Sequence, residues 1–206
     1  MKCLNHMRIV LSVLAFGLLA SFAVHAQSVN ALFHNGLDPV AGNPKGKITV
    51  VEFFDYDCGH CISMAPVMDS ILKTNSNVRI IFKDLPIRGP MSEFAARAAV
   101  AAQLQHKYYV FNHALLVARR PLSPQSVMQI AEQVGLNTEQ LKRDMNSKAV
   151  RTQINSNLAL ANQLGVNGTP AFFIGKTNAS DSEQVKMILG EMSKGELQDA
   201  IKQAAG

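Results

Sequence analysis

Cysteine is scarce in this chain, with three among 206 residues: Cys3, Cys58 and Cys61. So few exclude a small domain stapled by disulfides, and they fall short of the four ligands that structural zinc takes. No run of basic residues occurs, and a formal net charge of +5 gives no case for a nucleic-acid partner. Internal repeats and low-complexity linkers are absent too, which excludes a solenoid and points to one domain with a sizeable core. The apolar run Ile9 to Val24 is short for a membrane span and is broken by Ser12, Gly17 and Ser21. Lys2 and Arg8 precede it and Val24-His25-Ala26 is an acceptable cleavage site, so residues 1–26 read as a secretory signal that leaves Gln27 first in the mature chain. Cleavage removes Cys3 and lowers the net charge from +5 to +3, because Lys2 and Arg8 go and no acidic residue precedes Asp38. An exported protein is then left with one cysteine pair, which is functional or nothing.

That pair is the centre of what is present. Cys58-Gly59-His60-Cys61 follows an apolar, β-branched and aromatic strand, Ile48 to Phe54, and a helical pattern begins at once. Residues three apart in a first helical turn share a face and can close a disulfide. The first of them sits where unpaired N–H groups and the positive end of the helix dipole favour a thiolate. A Cys-x-x-Cys in this context predicts a redox site. Cys58 is the expected attacking or attacked sulfur, and Cys61 the deeper one that resolves a mixed disulfide. His60 can stabilise the Cys58 thiolate when protonated, and Gly59 leaves room for another backbone. Glu52 is the one carboxylate in a strand that otherwise reads as buried on both faces. It is expected to escape to the sheet edge or pair with a lysine, Lys83 at the end of the next strand, or else to lie beneath the cysteines as a proton acceptor for Cys61 with a raised pKa; the pairing and the proton relay can hold together.

Glycine and proline punctuate residues 27–47, which predicts an irregular lead-in with a short edge strand. Helix is expected from Cys58 to about Leu72 with Pro66 inside it, then a strand from Val78 to Lys83 and a loop at Pro86-Ile87-Arg88-Gly89-Pro90. Residues 92–165 carry no strand signal. Ala95, Ala98, Ala99 and Ala102 form a small-residue face, Ser123-Pro124 supplies a helix cap and first residue, and Val150, Ile154, Leu158 and Ala161 mark a buried stripe. His106 and His113, seven apart, have no companions for metal binding and read as surface residues, and Arg119-Arg120 reads as a solvated helix end. Strand signals return at Gly168 to Gly175. Pro170 fits only the start of such a strand, and its glycine-rich surroundings predict a cis bond after Thr169. Val185 to Leu189 can form a last strand, and Ser193 to Ala204 a closing helix. The chain thus divides into residues 27–90, 91–165 and 166–206.

With VVEFFDYDCGHC, a proline five residues beyond the second cysteine and the late segment GVNGTPAFFI, the sequence resembles the thioredoxin superfamily, and within it the DsbA family of periplasmic thiol oxidoreductases. The resemblance covers almost the whole mature chain. It implies an α/β, thioredoxin-like fold with a helical domain inserted between sheet strands, a buried acid at Glu52, and a Thr169-Pro170 loop that touches bound substrate beside Cys58. It implies no cofactor or metal beyond a redox-active Cys58–Cys61 disulfide. Its substrates would be reduced or unfolded exported proteins. Two features depart from the family: Gly59-His60 is closer to the protein disulfide isomerases, and Thr169 is the choice of thioredoxins and bacterial isomerases. A disulfide donor reoxidised by a DsbB-like, quinone-linked membrane protein is the first expectation. An isomerase or reductase kept reduced by a DsbD-like protein is the alternative, and a peptide-binding chaperone with an idle disulfide the third. Residues 27–47 are too few for the dimerisation domain of the bacterial isomerases, which predicts a monomer.

Overall fold

Seven successive residues of the strand Ile48–Phe54 (β2) are all buried, as expected of a strand covered on both faces. The computed structural model describes residues 28–118 and 121–206, so the signal segment and Arg119-Arg120 lie outside the described residues. β2 is the centre of a five-stranded sheet in the order β1-β3-β2-β4-β5. Val78–Asp84 (β3) runs parallel to it, while Ala171–Lys176 (β4) runs antiparallel on its other side. Val40–Gly42 (β1) and Val185–Leu189 (β5) are antiparallel edge strands.

Side-chain alternation along β2 divides the core into two. Ile48, Val50 and Phe54 face one cluster, built with the helix Gly59–Thr74 (α2), while Val51 and Phe53 face the other. The second cluster contains a helical stretch at residues 28–33 (α1), where an irregular lead-in was expected. The reason is a pattern spread over one short turn: Val29, Leu32 and Phe33 stand at helical spacing and all are buried.

Between β3 and β4 the regular structure of the described residues is helical, with no strand: Pro90–Ala102 (α3), Tyr108–Val117 (α4), Pro124–Gln133 (α5), Thr138–Asp144 (α6) and Lys148–Gln163 (α7). α3 packs against all four others, which its fully buried face of Ala95, Ala98, Ala99 and Ala102 permits by allowing close approach. Ser123 caps α5 with Pro124 as its first residue. His106 ends a 3-10 turn at φ 56°, so it and His113 do not share a helix. Lys194–Ala205 (α8) closes the chain behind a Ser193–Glu196 capping box.

Lys83 does not pair with Glu52. In the parallel register Glu52 lies opposite Phe82 and Lys83 opposite Phe53. One residue of offset sends the two side chains to opposite faces. Lys83 Nζ is held instead by the carboxylate of Asp38 and, at 2.9 Å, by the Ala31 carbonyl. Gln153 Nε2 donates to the other Asp38 oxygen at 2.7 Å. This cluster fastens the N-terminal segment to the sheet and α7.

Candidate active site

After Phe54 the chain turns through Asp55, and this residue organises the approach to the cysteines. Its carbonyl accepts from Cys58 N at 3.2 Å and its Oδ1 from Asp57 N at 2.7 Å. Its Oδ2 accepts from Ile87 N at 2.8 Å and Arg88 N at 3.1 Å, in the loop after β3. One buried carboxylate therefore joins two loops. Cys58 is the N-cap residue of α2 with extended backbone angles, φ −97° and ψ 116°, and its side chain makes no cap hydrogen bond. Its sulfur is thus free to face the unpaired N–H end of the helix. Cys61 lies in the first turn, and both residues are thiols.

Both cysteines are buried, and Cys61 is the deeper of the two, as expected. The space beyond Gly59 is open, as expected, with no atom within 4 Å of where a side chain would begin. What shields Cys58 lies on another side. The Thr169–Pro170 bond is cis, and the Thr169 carbonyl accepts a hydrogen bond from Cys58 Sγ at 3.2 Å. That bond favours the thiol. The hydroxyl of the same residue is buried without a hydrogen-bond partner among the described residues, and is the group able to donate to a thiolate.

The two sulfurs are electrostatically unequal. Burial pushes the Cys58 pKa up, but the hydrogen bonds that the Thr169 side chain and Cys61 offer to a thiolate, together with the charge of Arg88, outweigh it and hold the thiol below the ordinary range. Cys61 goes far the other way, pushed up mainly by burial, against a backbone hydrogen bond from Asp55, and further by the charges of Glu52 and Cys58. Glu52 shares the Val50–Phe54 face of β2, beneath α2, and burial with the Cys58 charge raises its pKa to about 8. A carboxyl group that titrates there can hold or release a proton near neutral pH.

His60 points away from this cluster into solvent. Its Nδ1 lies 3.0 Å from Glu191 Oε2, and that contact raises its pKa. Glu191 belongs to the short loop between β5 and α8, where Gly190 N donates to the Pro170 carbonyl at 2.9 Å and Met192 N reaches Met64 Sδ at 3.2 Å. Asp55, Arg88 and Glu191 are the residues that sequence reasoning missed. Asp55 alone left a signal, as a turn-forming aspartate three residues before Cys58. The others arrive through loops distant in sequence. Behind the site Tyr108 OH donates to Asp84 Oδ2 at 2.7 Å, and Asn112 Nδ2 to Tyr56 OH at 2.9 Å, which ties α4 to the sheet and to the turn before Cys58. Among the described residues no group of three or more His, Cys, Asp or Glu could hold a metal ion.

A central strand, a Cys-x-x-Cys that opens a helix, and a cis-proline loop against the first sulfur define a dithiol domain of thioredoxin-like fold. The chain belongs to the family of DSBA-like thioredoxin domains, which it matches over residues 49–202. A crystal structure described as a thioredoxin-like oxidoreductase from Silicibacter pomeroyi is 40% identical with a TM-score of 0.78, over 85% of this chain and 96% of that one. The thiol-disulfide exchange protein alpha-DsbA2 of Wolbachia pipientis gives 26% and 0.77, over 89% and 95%. The thiol:disulfide interchange protein DsbA of Bordetella pertussis is 26% identical over 174 residues, 81% of this chain and 82% of its own length. The chain also matches longer proteins, Na(+)/H(+) antiporters NhaA such as that of Salinispora tropica. There 28% identity over 139 residues spans 66% of this chain but 21% of the antiporter. No helix among the described residues is long and apolar enough to cross a membrane.

Proposed function

We propose that this protein is an exported thiol:disulfide oxidoreductase that donates the Cys58–Cys61 disulfide to reduced secreted proteins. The observation that carries the reading is the inequality of the two thiols, Cys58 held low at a helix start and Cys61 held high above Glu52. A substrate thiolate attacks Cys58 Sγ, the Cys58–Cys61 bond breaks, and Cys61 departs with the electron pair and takes up a proton, for which Glu52 is the nearby acid. A second substrate thiol loses its proton and attacks the substrate sulfur of the mixed disulfide. Cys58 then leaves as a thiolate. Two electrons have passed from the substrate to the cysteine pair, and a DsbB-like, quinone-linked membrane protein takes them up to restore the disulfide. The Thr169-Pro170 loop, with Gly59 leaving space beside it, receives the substrate backbone at the sulfur. The protein works as a monomer in the periplasm, a location supported by its 27% identity to a periplasmic thioredoxin-like protein of Salmonella enterica.

The isomerase or reductase reading keeps one observation in its favour: the His60 charge faces a carboxylate, which moderates its pull on the thiolate. A glutathione titration of the Cys58–Cys61 couple, with refolding of a reduced substrate by the protein and by Cys58→Ser, separates them. A potential of about −180 to −120 mV is expected, between isomerase and strong oxidant. A potential below about −230 mV favours the reductase kept reduced by a DsbD-like partner. Refolding unaffected by Cys58→Ser would leave only a chaperone.

A further inference from the structure

The motif places His60 next to Cys58, but a second cation stands nearby with nothing opposing it. The His60 ring meets the Glu191 carboxylate at 3.0 Å, and Glu191 is held in a loop fastened on one side to Pro170 and on the other to Met64. The pair is framed by the fold, so the imidazolium carries its own counter-ion. Arg88 differs. Its guanidinium is exposed and, among the described residues, makes no hydrogen bond or salt bridge. Its backbone is nonetheless fixed, because Asp55 Oδ2 accepts from Arg88 N while Asp55 Oδ1 and the Asp55 carbonyl hold Asp57 and Cys58. The Arg88 loop and the Cys58 turn are therefore registered against each other by one buried side chain.

We propose that Arg88, not His60, is the cation that balances charge at the Cys58 sulfur, and that it favours substrate cysteines flanked by carboxylates. The proposal rests on the exchange reading above and names the substrates that reading leaves open. When Cys58 leaves a mixed disulfide it carries the electron pair of the broken S–S bond as a thiolate, and a fixed positive field lowers the cost of that charge. Arg88 acts on the Cys58 thiol in this sense, beside Thr169 and Cys61. The polar and charged groups around the sulfur are Thr169 from its loop, Cys61 from α2, Arg88 from the loop after β3 and Glu52 from β2, with His60 on α2 turned toward solvent and Glu191. A guanidinium is charged at every physiological pH and matches a carboxylate with two parallel donors. In the encounter complex, before Cys58 becomes a thiolate, the free Arg88 head is open to an Asp or Glu beside the substrate cysteine.

The test follows Cys58 thiolate absorbance against pH in the full chain carrying Cys61→Ala. Arg88→Gln is expected to raise the midpoint by about half to one pH unit, Arg88→Lys to restore most of it, and His60→Gln to move it less. Added salt should shrink the Arg88→Gln effect. Glu191→Gln, which strips His60 of its counter-ion, is expected to lower the midpoint. In a second arm, the oxidised protein with both cysteines reacts with two dithiol peptides whose reacting cysteine is flanked by Glu or by Lys. A preference of roughly tenfold for the acidic peptide is expected in the unsubstituted protein and a ratio near one in Arg88→Gln. A larger midpoint shift from His60→Gln than from Arg88→Gln overturns the proposal, as does a charge preference that survives Arg88→Gln. If the unsubstituted protein exchanges with neither peptide, the exchange reading falls, and the midpoint arm still decides which cation acts on Cys58.

Discussion

Glu52 bears on the proton of Cys61. Each is buried, and burial is the main force that keeps each neutral; the Glu52 charge adds to the cost of a Cys61 thiolate, while the Cys58 charge adds to the cost of a Glu52 carboxylate. Removing the carboxylate should therefore act on the step in which Cys61 changes protonation. Glu52→Gln is expected to slow resolution of mixed disulfides by about 10- to 100-fold and leave attack at Cys58 within a small factor. Rapid-quench trapping would show the mixed disulfide accumulating; unchanged kinetics would reduce Glu52 to a structural part. Cys58, Cys61 and the placement of Glu52 were legible because each depends on spacing within one strand or one helical turn. The Lys83 partner was misread because it depends on register between two strands, which no local pattern carries. The His60 partner is 131 residues away, beyond the reach of a motif.

At the scale of elements, the loop between β5 and α8 is short because α8 starts abruptly. Ser193 Oγ accepts from Glu196 N at 3.3 Å and Glu196 Oε2 accepts from Ser193 N at 2.7 Å, so the helix is fixed two residues after Glu191. Ser193→Ala should cost about 1 kcal/mol of stability. It should also lower the His60 pKa toward its ordinary value, because Glu191 loses its fixed neighbour; nuclear magnetic resonance titration of the imidazole reads this directly. An unshifted His60 would mean that the Met64 and Pro170 contacts suffice. The helices between β3 and β4 were legible from the alanine face and the Ser123-Pro124 cap. Residues 28–33 were not, since three apolar residues in one turn are outweighed by the glycines and prolines that follow.

For the whole molecule, several buried carboxyl groups make stability depend on pH in an unusual direction. Burial raises Asp84 to about 7, despite hydrogen bonds from Tyr108 and Tyr56, and Glu52 to about 8. A carboxyl group whose folded pKa exceeds its unfolded one favours the fold when protonated. Its contribution is complete below the unfolded pKa, near 4, and is lost as pH rises through 7 to 8. Urea unfolding should show this loss between pH 5 and 8, on the order of 3 kcal/mol per group. Asp84→Asn should flatten the slope and keep the Tyr108 contact; a slope unchanged in that variant would assign it elsewhere. The low Cys58 pKa works through the redox state. It favours the dithiol form of the fold, so calorimetry should find the reduced protein melting above the oxidised one.

The one-residue offset between Glu52 and Lys83 also has an electrical meaning. The sheet is a partition one strand thick, with a protonatable acid and two sulfurs on one side and the Lys83–Asp38 ion pair on the other. The far-side charges meet at contact, and neither is among the influences on Cys58 or Cys61, although a small effect of Asp38 does reach Asp84. The structural ion pair can thus be broken without retuning the redox chemistry. Asp38→Asn should destabilise the fold by about 3 to 5 kcal/mol, the usual cost of stranding a buried charge. The reduction potential of whatever remains folded should stay within about 10 mV of the unsubstituted value. A larger drift would mean that the partition leaks, and that the N-terminal anchor and the cysteines form a single electrostatic unit.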